Sequence, residues 1–348
     1  MPSHRRPSSK DVAAMAGVSQ STVSYVMSGA RPISEQTRQK VERAMRQLGY
    51  VPDAHAQAMI SNRSHIIGLI TETTENTQGA ELFPLLHAVQ DAAQIHGYDI
   101  ILVSPKNGIA DMSRLARAKL VDAFIIMDIR HHDERLAAAG ELGIPVVPFG
   151  DSGAPYAFRN VAYDQRTIID LAFREMHDIG ARIAVPVADA RGGTKGFPFL
   201  DVYERRFREC ANDYGIQLEP FDAPDTYWQS FEPLTRLFPK WKGQGVCLYV
   251  RSSRALSWIE HMMLLSGIEP GRDIGLIGEC SDHFAQIQPV PITNVSPEAR
   301  TAGRRAVEIA VASIDAALSD VEPPKTGIEF IPPRFTRRAT TMPGFAGV

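Results

Sequence analysis

The chain lacks most of what builds a familiar active site. It has three cysteines in 348 residues, Cys210, Cys247 and Cys280, odd in number and without metal-ligand spacing. That argues against a disulfide framework and fits a reducing cytoplasm. No apolar stretch approaches the roughly 20 residues needed to span a membrane. The opening MPSHRRPSSKD is basic but has no apolar segment behind it, so no secretory signal is expected and the chain reads as cytoplasmic. There is no phosphate-binding glycine loop, no pair of Cys or His ligands and no short internal repeat. The one tempting cluster is His131-His132-Asp133-Glu134, but adjacent residues on a strand-to-helix loop rarely share a metal. No catalytic constellation emerges, so the chain is not expected to be an enzyme and no cofactor is expected.

What is present is enough for several packed domains: 348 residues, 44% hydrophobic. Charge is unevenly spread. Residues 1–65 carry nine Lys/Arg against four Asp/Glu, and the remainder 28 against 36, giving the net −3. A basic end on an acidic chain is an electrostatic footprint for phosphate binding.

Within that end, KDVAAMAGVSQSTVSYVMS (10–28) reads as two short helices around a turn at Ala16-Gly17-Val18-Ser19. Val12, Ala13 and Ala16 share one face of the first helix. Ser19 is placed to cap the second, whose inner face carries Val23 and Val26. Helices this short must brace one another. A third helix from Ser34 to Leu48 supplies the brace with Val41, Ala44, Met45 and Leu48. The outward residues Gln20, Ser21, Thr22, Ser24 and Tyr25 are rich in hydroxyl and amide groups and free of acid. Two helices alone would equally suit a plain helical hairpin. The third helix and the basic charge favour a DNA-reading helix-turn-helix.

The run DVAAMAGVSQSTVSYVMSG…ISEQTRQKVERAMRQLGYVPDAHAQAM resembles the headpiece of the lactose/galactose repressor (LacI/GalR) family of transcriptional regulators. The likeness is continuous from about Ser9 to Gly68 and looser through Pro145-Val146-Val147, Asp164 and the terminal PPRFTRRATT. It implies that Gln20, Ser21 and Tyr25 read bases, and that Lys10, Ser19, Thr22, Ser28, Arg31 and Ser34 contact the DNA backbone. Gln suits adenine, while Tyr25 departs from the arginine common at its position. It further implies a hinge that becomes helical on operator DNA, with Met59 beside Ala56 as the minor-groove wedge. A wedge at the operator centre needs two copies, so a homodimer on double-stranded operator DNA is expected. The ending TTMPGFAGV has no heptads, which argues against an added oligomerisation helix.

Beyond Ser64, strand and helix patterns alternate: HIIGLI, a helix over Leu82–His96, YDIILVS, AFIIMD, IPVVPFG, ARIAVPVA, VCLYV and DIGLIG, with helices between. Such alternation predicts doubly wound parallel sheets, and about nine units suggest two of them. By resemblance these are the two lobes of a periplasmic-binding-protein-like α/β core behind the all-α headpiece. The expected divisions are a headpiece over 1–50, a hinge over 51–64 and a tail over 342–348. The N-terminal lobe then spans 65–163 with about 294–322, and the C-terminal lobe 164–293 with about 323–341. Crossings are placed near Ala162–Tyr163, Thr293–Asn294 and Pro323–Pro324. A cleft between lobes is the default small-molecule site.

Here the chain departs from its sugar-binding relatives. An expected Asn-Asp pair reads Arg251-Ser252, and an expected Gly-aromatic-Asp-Asp reads Gly278-Glu279-Cys280-Ser281. An Arg-x-x-Gly-aromatic motif reads Tyr203-Glu204-Arg205-Arg206-Phe207, while Asp164 matches the pocket-edge aspartate. The expected effector residues are Glu72, Asn76, Gln78, Asp164, Tyr203, Arg205, Arg251 and Cys280. Lost acids and a gained Arg251 point to an anionic sugar derivative gripped by arginine. A neutral sugar, or a cleft that no longer binds, are the other readings. An exported solute-binding protein would share the core but lack the first 60 residues.

Overall fold

The computed structural model describes residues 7–28, 31–50, 63–73, 77, 79–151, 158–188, 196–222, 226–319 and 325–342. The headpiece is three helices: α1 (Ser9–Ala16), α2 (Gln20–Ser28) and α3 (Glu35–Leu48). Each boundary has a local cause. Ser8 and Asp11 form a reciprocal capping box at the start of α1, and Gly17 ends it in the left-handed region at φ 68°. Ser19 Oγ accepts the Thr22 N–H at 3.1 Å to open α2, and Ser34 Oγ accepts the Thr37 N–H at 3.4 Å to open α3. The three helices close around Val12, Ala13, Val23, Val41 and Ala44, with Val26, Met45 and Leu48 packed against them. These are the stripes expected from the 3.6-residue period.

The core holds two sheets. The first runs in the order β2 (Asp99–Val103), β1 (Ile66–Ile70), β3 (Ala123–Ile126), β4 (Val146–Pro148). Beside β4 lies a parallel pair, β5 (Arg159–Tyr163) with β12 (Gly327–Ile331), joined through a bridge from Phe149 to Val161. The second sheet runs β13 (Arg334–Thr336), β11 (Thr293–Ser296), β10 (Gly275–Glu279), β9 (Val246–Val250), β6 (Ile183–Ala188), β7 (Gln217–Leu218), with β8 (Phe221–Asp222) also on β6. It is parallel except for β13, which lies antiparallel to β11. Strand β9 shows why such strands read as unbroken apolar runs: all five residues are buried, on both faces. Val246, Leu248 and Val250 face the helices Tyr227–Trp241 and Ser253–Leu265; Cys247 and Tyr249 face Gln165–Asp178 and Pro198–Tyr214. At roughly 1.5–3 kcal/mol per fully buried large side chain, this sheet is the main store of hydrophobic stabilisation in its lobe.

The first crossing follows β5. The other two move. Strand β11 belongs to the second sheet, where Thr293 and Asn294 are fully buried and hydrogen-bonded, so the chain leaves after Ser296 and not at Thr293–Asn294. Strand β12 pairs in register with β5, and Ile331 joins the first core, so the return comes after Ile331. The expected C-terminal-lobe segment 323–341 therefore begins too early; Pro323–Pro324 themselves lie outside the described residues. The helix Tyr227–Trp241 runs on through Pro233 and Pro239. Thr235 Oγ1 donates to the Phe231 and Glu232 carbonyls at 2.8 and 3.1 Å. No helix among the described residues is long and apolar enough to cross a membrane.

Between crossings the chain forms the helix Ala299–Ser319, which lies along Gly79–Ile95 in the first lobe. Gly303 lets the two approach: a Cβ there would stand 2.9 Å from Leu85 Cδ1 and 3.1 Å from the Leu85 carbonyl oxygen. Gly303→Val is expected to cost about 1–3 kcal/mol by overpacking, read as a lower urea midpoint with unchanged slope. A midpoint equal to the parent's would contradict the close packing.

Candidate nucleic-acid interface and ligand cavity

Helix α2, QSTVSYVMS, carries no acidic side chain. Ser19, Gln20 and Ser21 are exposed, while Thr22 and Tyr25 are partly covered. Ser19 Oγ lies 2.8 Å from both Ser21 Oγ and Thr22 Oγ1, so the hydroxyls form a small cooperative cluster at the helix start. Gln20 Nε2 donates to Ser9 Oγ at 2.9 Å, tying α2 back to α1. The Arg31 guanidinium stands 5.1 Å from the centroid of the Tyr25 ring, and both Lys10 and Arg31 are exposed. Ser34 Oγ is also 2.9 Å from Thr37 Oγ1. The structure thus brings Gln20, Ser21, Tyr25, Ser19, Thr22 and Arg31 onto one short helix and its flanks. The side chain of Ser28, and residues Ala56, Met59, Asn76 and Gln78 altogether, lie outside the described residues.

In the core, a cavity of about 890 Å³ opens at the carboxyl ends of strands from both sheets. Asp128 follows β3, Gly150 and Asp151 follow β4, and Asp164 to Thr167 follow β5. Arg251 follows β9 and Glu279 ends β10. Phe197, Phe199 and Arg205 come from the start of the helix Pro198–Tyr214. Of the expected effector residues, Asp164, Arg205 and Arg251 line this cavity.

The others need correction. Tyr203 is buried behind the wall, its ring 5.2 Å from the Arg251 guanidinium carbon, so it supports Arg251 from outside. Cys280 is fully buried in the opposite core of the second sheet, and burial pushes its thiol pKa up. The residue that reaches the cavity is its neighbour Glu279. Strand alternation carries the signal: Ile277 and Tyr249 share one face of the sheet, Glu279 falls on that face, and Cys280 on the other. Glu72 lines a separate cavity of about 540 Å³ and pairs with Arg130 at 3.3 Å. The aromatic pair Phe197 and Phe199, in the run GFPFL, was legible as a compact apolar cluster before a helix but was not singled out.

The expected cationic site does not form. Five carboxylates line the cavity (Asp128, Asp151, Asp164, Asp170, Glu279) against three arginines (Arg166, Arg205, Arg251). Arg251, on which an anionic ligand would depend, is engaged already. Its Nε stands 3.5 Å from Glu279 Oε2, and its guanidinium carbon lies 4.8 Å from the centroid of Phe199. The same Glu279 Oε2 accepts the Tyr249 hydroxyl at 2.7 Å and Gln165 Nε2 at 3.2 Å. Burial, with the adjacent Glu279 charge, pushes the Tyr249 phenol well up, so it stays a donor. Asp164 accepts the Thr167 N–H at 3.1 Å and its hydroxyl at 2.7 Å, and Asp128 Oδ2 accepts the Glu72 N–H at 2.7 Å. Arg206 turns to Asp170 at 2.6 Å, leaving Arg205 as the arginine of that motif that lines the cavity.

Next to the cavity, Glu81 of the helix Gly79–Ile95 reaches from the first lobe to the second, accepting the Ser281 N–H at 3.4 Å. Burial, opposed by that hydrogen bond and reinforced by Glu279, pushes its pKa up to about 7. Glu81 holds its proton more tightly folded than unfolded. Its contribution is therefore full below the ordinary carboxylate range and is lost as pH rises to about 7. Glu81→Gln is expected to remove on the order of 1–2 kcal/mol of stability loss between pH 5 and 8, read from urea midpoints. An unchanged pH profile in the variant would contradict the burial of this carboxyl.

Comparison with known proteins gives both halves a match. Residues 9–53 match the model of bacterial regulatory proteins of the lacI family, and residues 173–341 match the periplasmic binding protein-like domain. The transcriptional regulator CelR of Thermobifida fusca is 24% identical over 324 residues, covering 89% of this chain and 93% of that one. Among solved structures, the lac repressor dimer bound to operator and the anti-inducer ONPF superposes with TM-score 0.76 at 19% identity, covering 97% of this chain and all of that one. The CelR–cellobiose complex superposes with TM-score 0.64 at 21% identity, covering 96% of this chain and all of that one.

Proposed function

Since this chain belongs to the lacI family of bacterial regulatory proteins and is a DNA-binding transcriptional regulator, we propose that it is a cytoplasmic repressor that binds a pseudo-palindromic operator as a homodimer, its DNA affinity shifted by a neutral polyhydroxyl effector. The observation that carries the DNA assignment is the acid-free, hydroxyl- and amide-rich outer face of α2 on a basic headpiece. Gln20, Ser21 and Tyr25 read bases; Lys10, Ser19, Thr22, Ser28, Arg31 and Ser34 set register on phosphates. Gln20 exchanges its Ser9 partner for a base edge at little net cost, because one hydrogen bond replaces another. Met59, with Ala56 beside it, wedges into the minor groove from the hinge over 51–64.

A polyhydroxyl effector fits the cavity chemistry better than an anion. Phe197 and Phe199 offer apolar faces for a sugar ring, and Asp128 and Asp164 offer acceptors for its hydroxyls. An anion would meet more carboxylates than free cations. The CelR–cellobiose complex is a relative with a sugar in its name, which agrees with this choice. No catalytic role is assigned to any residue.

Selection of bound fragments from genomic DNA identifies the operator, and fluorescence anisotropy on it tests the contacts. Gln20→Ala and Tyr25→Ala are expected to cost about 1–3 kcal/mol and relax specificity at one position each, whereas Lys10→Ala weakens all sequences alike and lowers the salt slope by about one. Uniform losses from all three would contradict the base-reading roles. For the effector, calorimetry compares cellobiose and glucose with glucose 6-phosphate. Tenfold tighter binding of the phosphorylated sugar would overturn the neutral reading.

A further inference from the structure

The run His131-His132-Asp133-Glu134 does not act as a unit. Asp133 is occupied within its own lobe, accepting Arg135 Nε at 2.8 Å and the Arg130 N–H at 3.1 Å. His131 turns the other way. Its Nε2 lies 3.0 Å from Oδ2 of Asp201, on the helix Pro198–Tyr214 of the second lobe. Its backbone N–H donates to the Gly196 carbonyl at 2.8 Å, again across the cleft. The neighbouring Arg130 guanidinium carbon stands 4.8 Å from the centroid of the Phe197 ring and is steadied by Glu72 at 3.3 Å. Phe197 is a wall of the large cavity.

We propose that Arg130 and His131 are positioning residues, an interlobe clasp that seats Phe197 on the cavity and sets how long a bound effector stays. Its second half rests on the reading of the cavity as an effector site. Each contact alone is weak: the His131 and Asp201 side chains are 42% and 68% exposed, and such pairs contribute little singly. Their force lies in their placement. Two adjacent residues of one lobe hold Gly196, Phe197 and Asp201 of the other, so hinge opening must break three contacts together.

The native thiols are all buried, so dye labels can be confined to Asp99→Cys and Arg208→Cys, one on each lobe. Single-molecule energy transfer is then read on the full chain without ligand, for the parent, His131→Ala, Asp201→Ala, their double variant and Arg130→Ala. Each single change is expected to raise the population with separated lobes about two- to fivefold, and the double variant no further than either single, since both report one contact. Melting temperatures should stay close to the parent's, because the removed side chains are exposed. No shift, or additive shifts in the double variant, overturns the clasp. Stopped-flow release of cellobiose should quicken by the same factor. Failure of cellobiose to bind would count against the effector reading alone, because the ligand-free distances would stand; unmoved distances with binding intact would overturn the clasp alone.

Discussion

The close approach of Ala299–Ser319 to Gly79–Ile95 is the contact on which the two-lobed core depends. Neither lobe is one stretch of chain. After β11 the chain must leave the second sheet, cover the first, add β12 beside β5, and return as β13. That excursion holds only if the returning helix buries its apolar side against the first lobe. It does so with ten buried residues, among them a glycine, Gly303, where Leu85 presses closest. Three chain crossings follow, and lobes joined only by such crossings can hinge while their two packed cores stay intact.

The cavity inherits its chemistry from this arrangement. Parallel strands end together, so residues distant in sequence, such as Asp128, Asp164, Arg251 and Glu279, meet at one crevice. Their charges largely answer one another. Glu279 gathers Arg251, Tyr249 and Gln165 on one oxygen, which spends the arginine and leaves a polar wall of no strong sign. The aromatic wall comes from the second lobe and is held from the first by Arg130.

The headpiece was readable from its residues because its causes are local. Ser19 and Ser34 cap helices within three residues of themselves, and Gly17 ends α1 in a conformation that glycine adopts freely. The stripes at Val12, Val23 and Val41 follow from helical period alone. The cavity was readable only in part. Resemblance places Asp164, Arg205 and Arg251, yet it points to Cys280 where Glu279 lines the cavity, because one step along a strand reverses the face.

By itself the sequence determined the three-helix headpiece, the basic surface it carries and the alternation of strands and helices behind it. Capping, helical period and net charge act over a few residues and need no partner from elsewhere in the chain. Only the tertiary structure decided the sign of the cavity, the places of the later crossings and the partner of His131. Each depends on which residues far apart in sequence meet at the ends of strands. A charge in a cleft is defined by its neighbours, and those neighbours are chosen by packing.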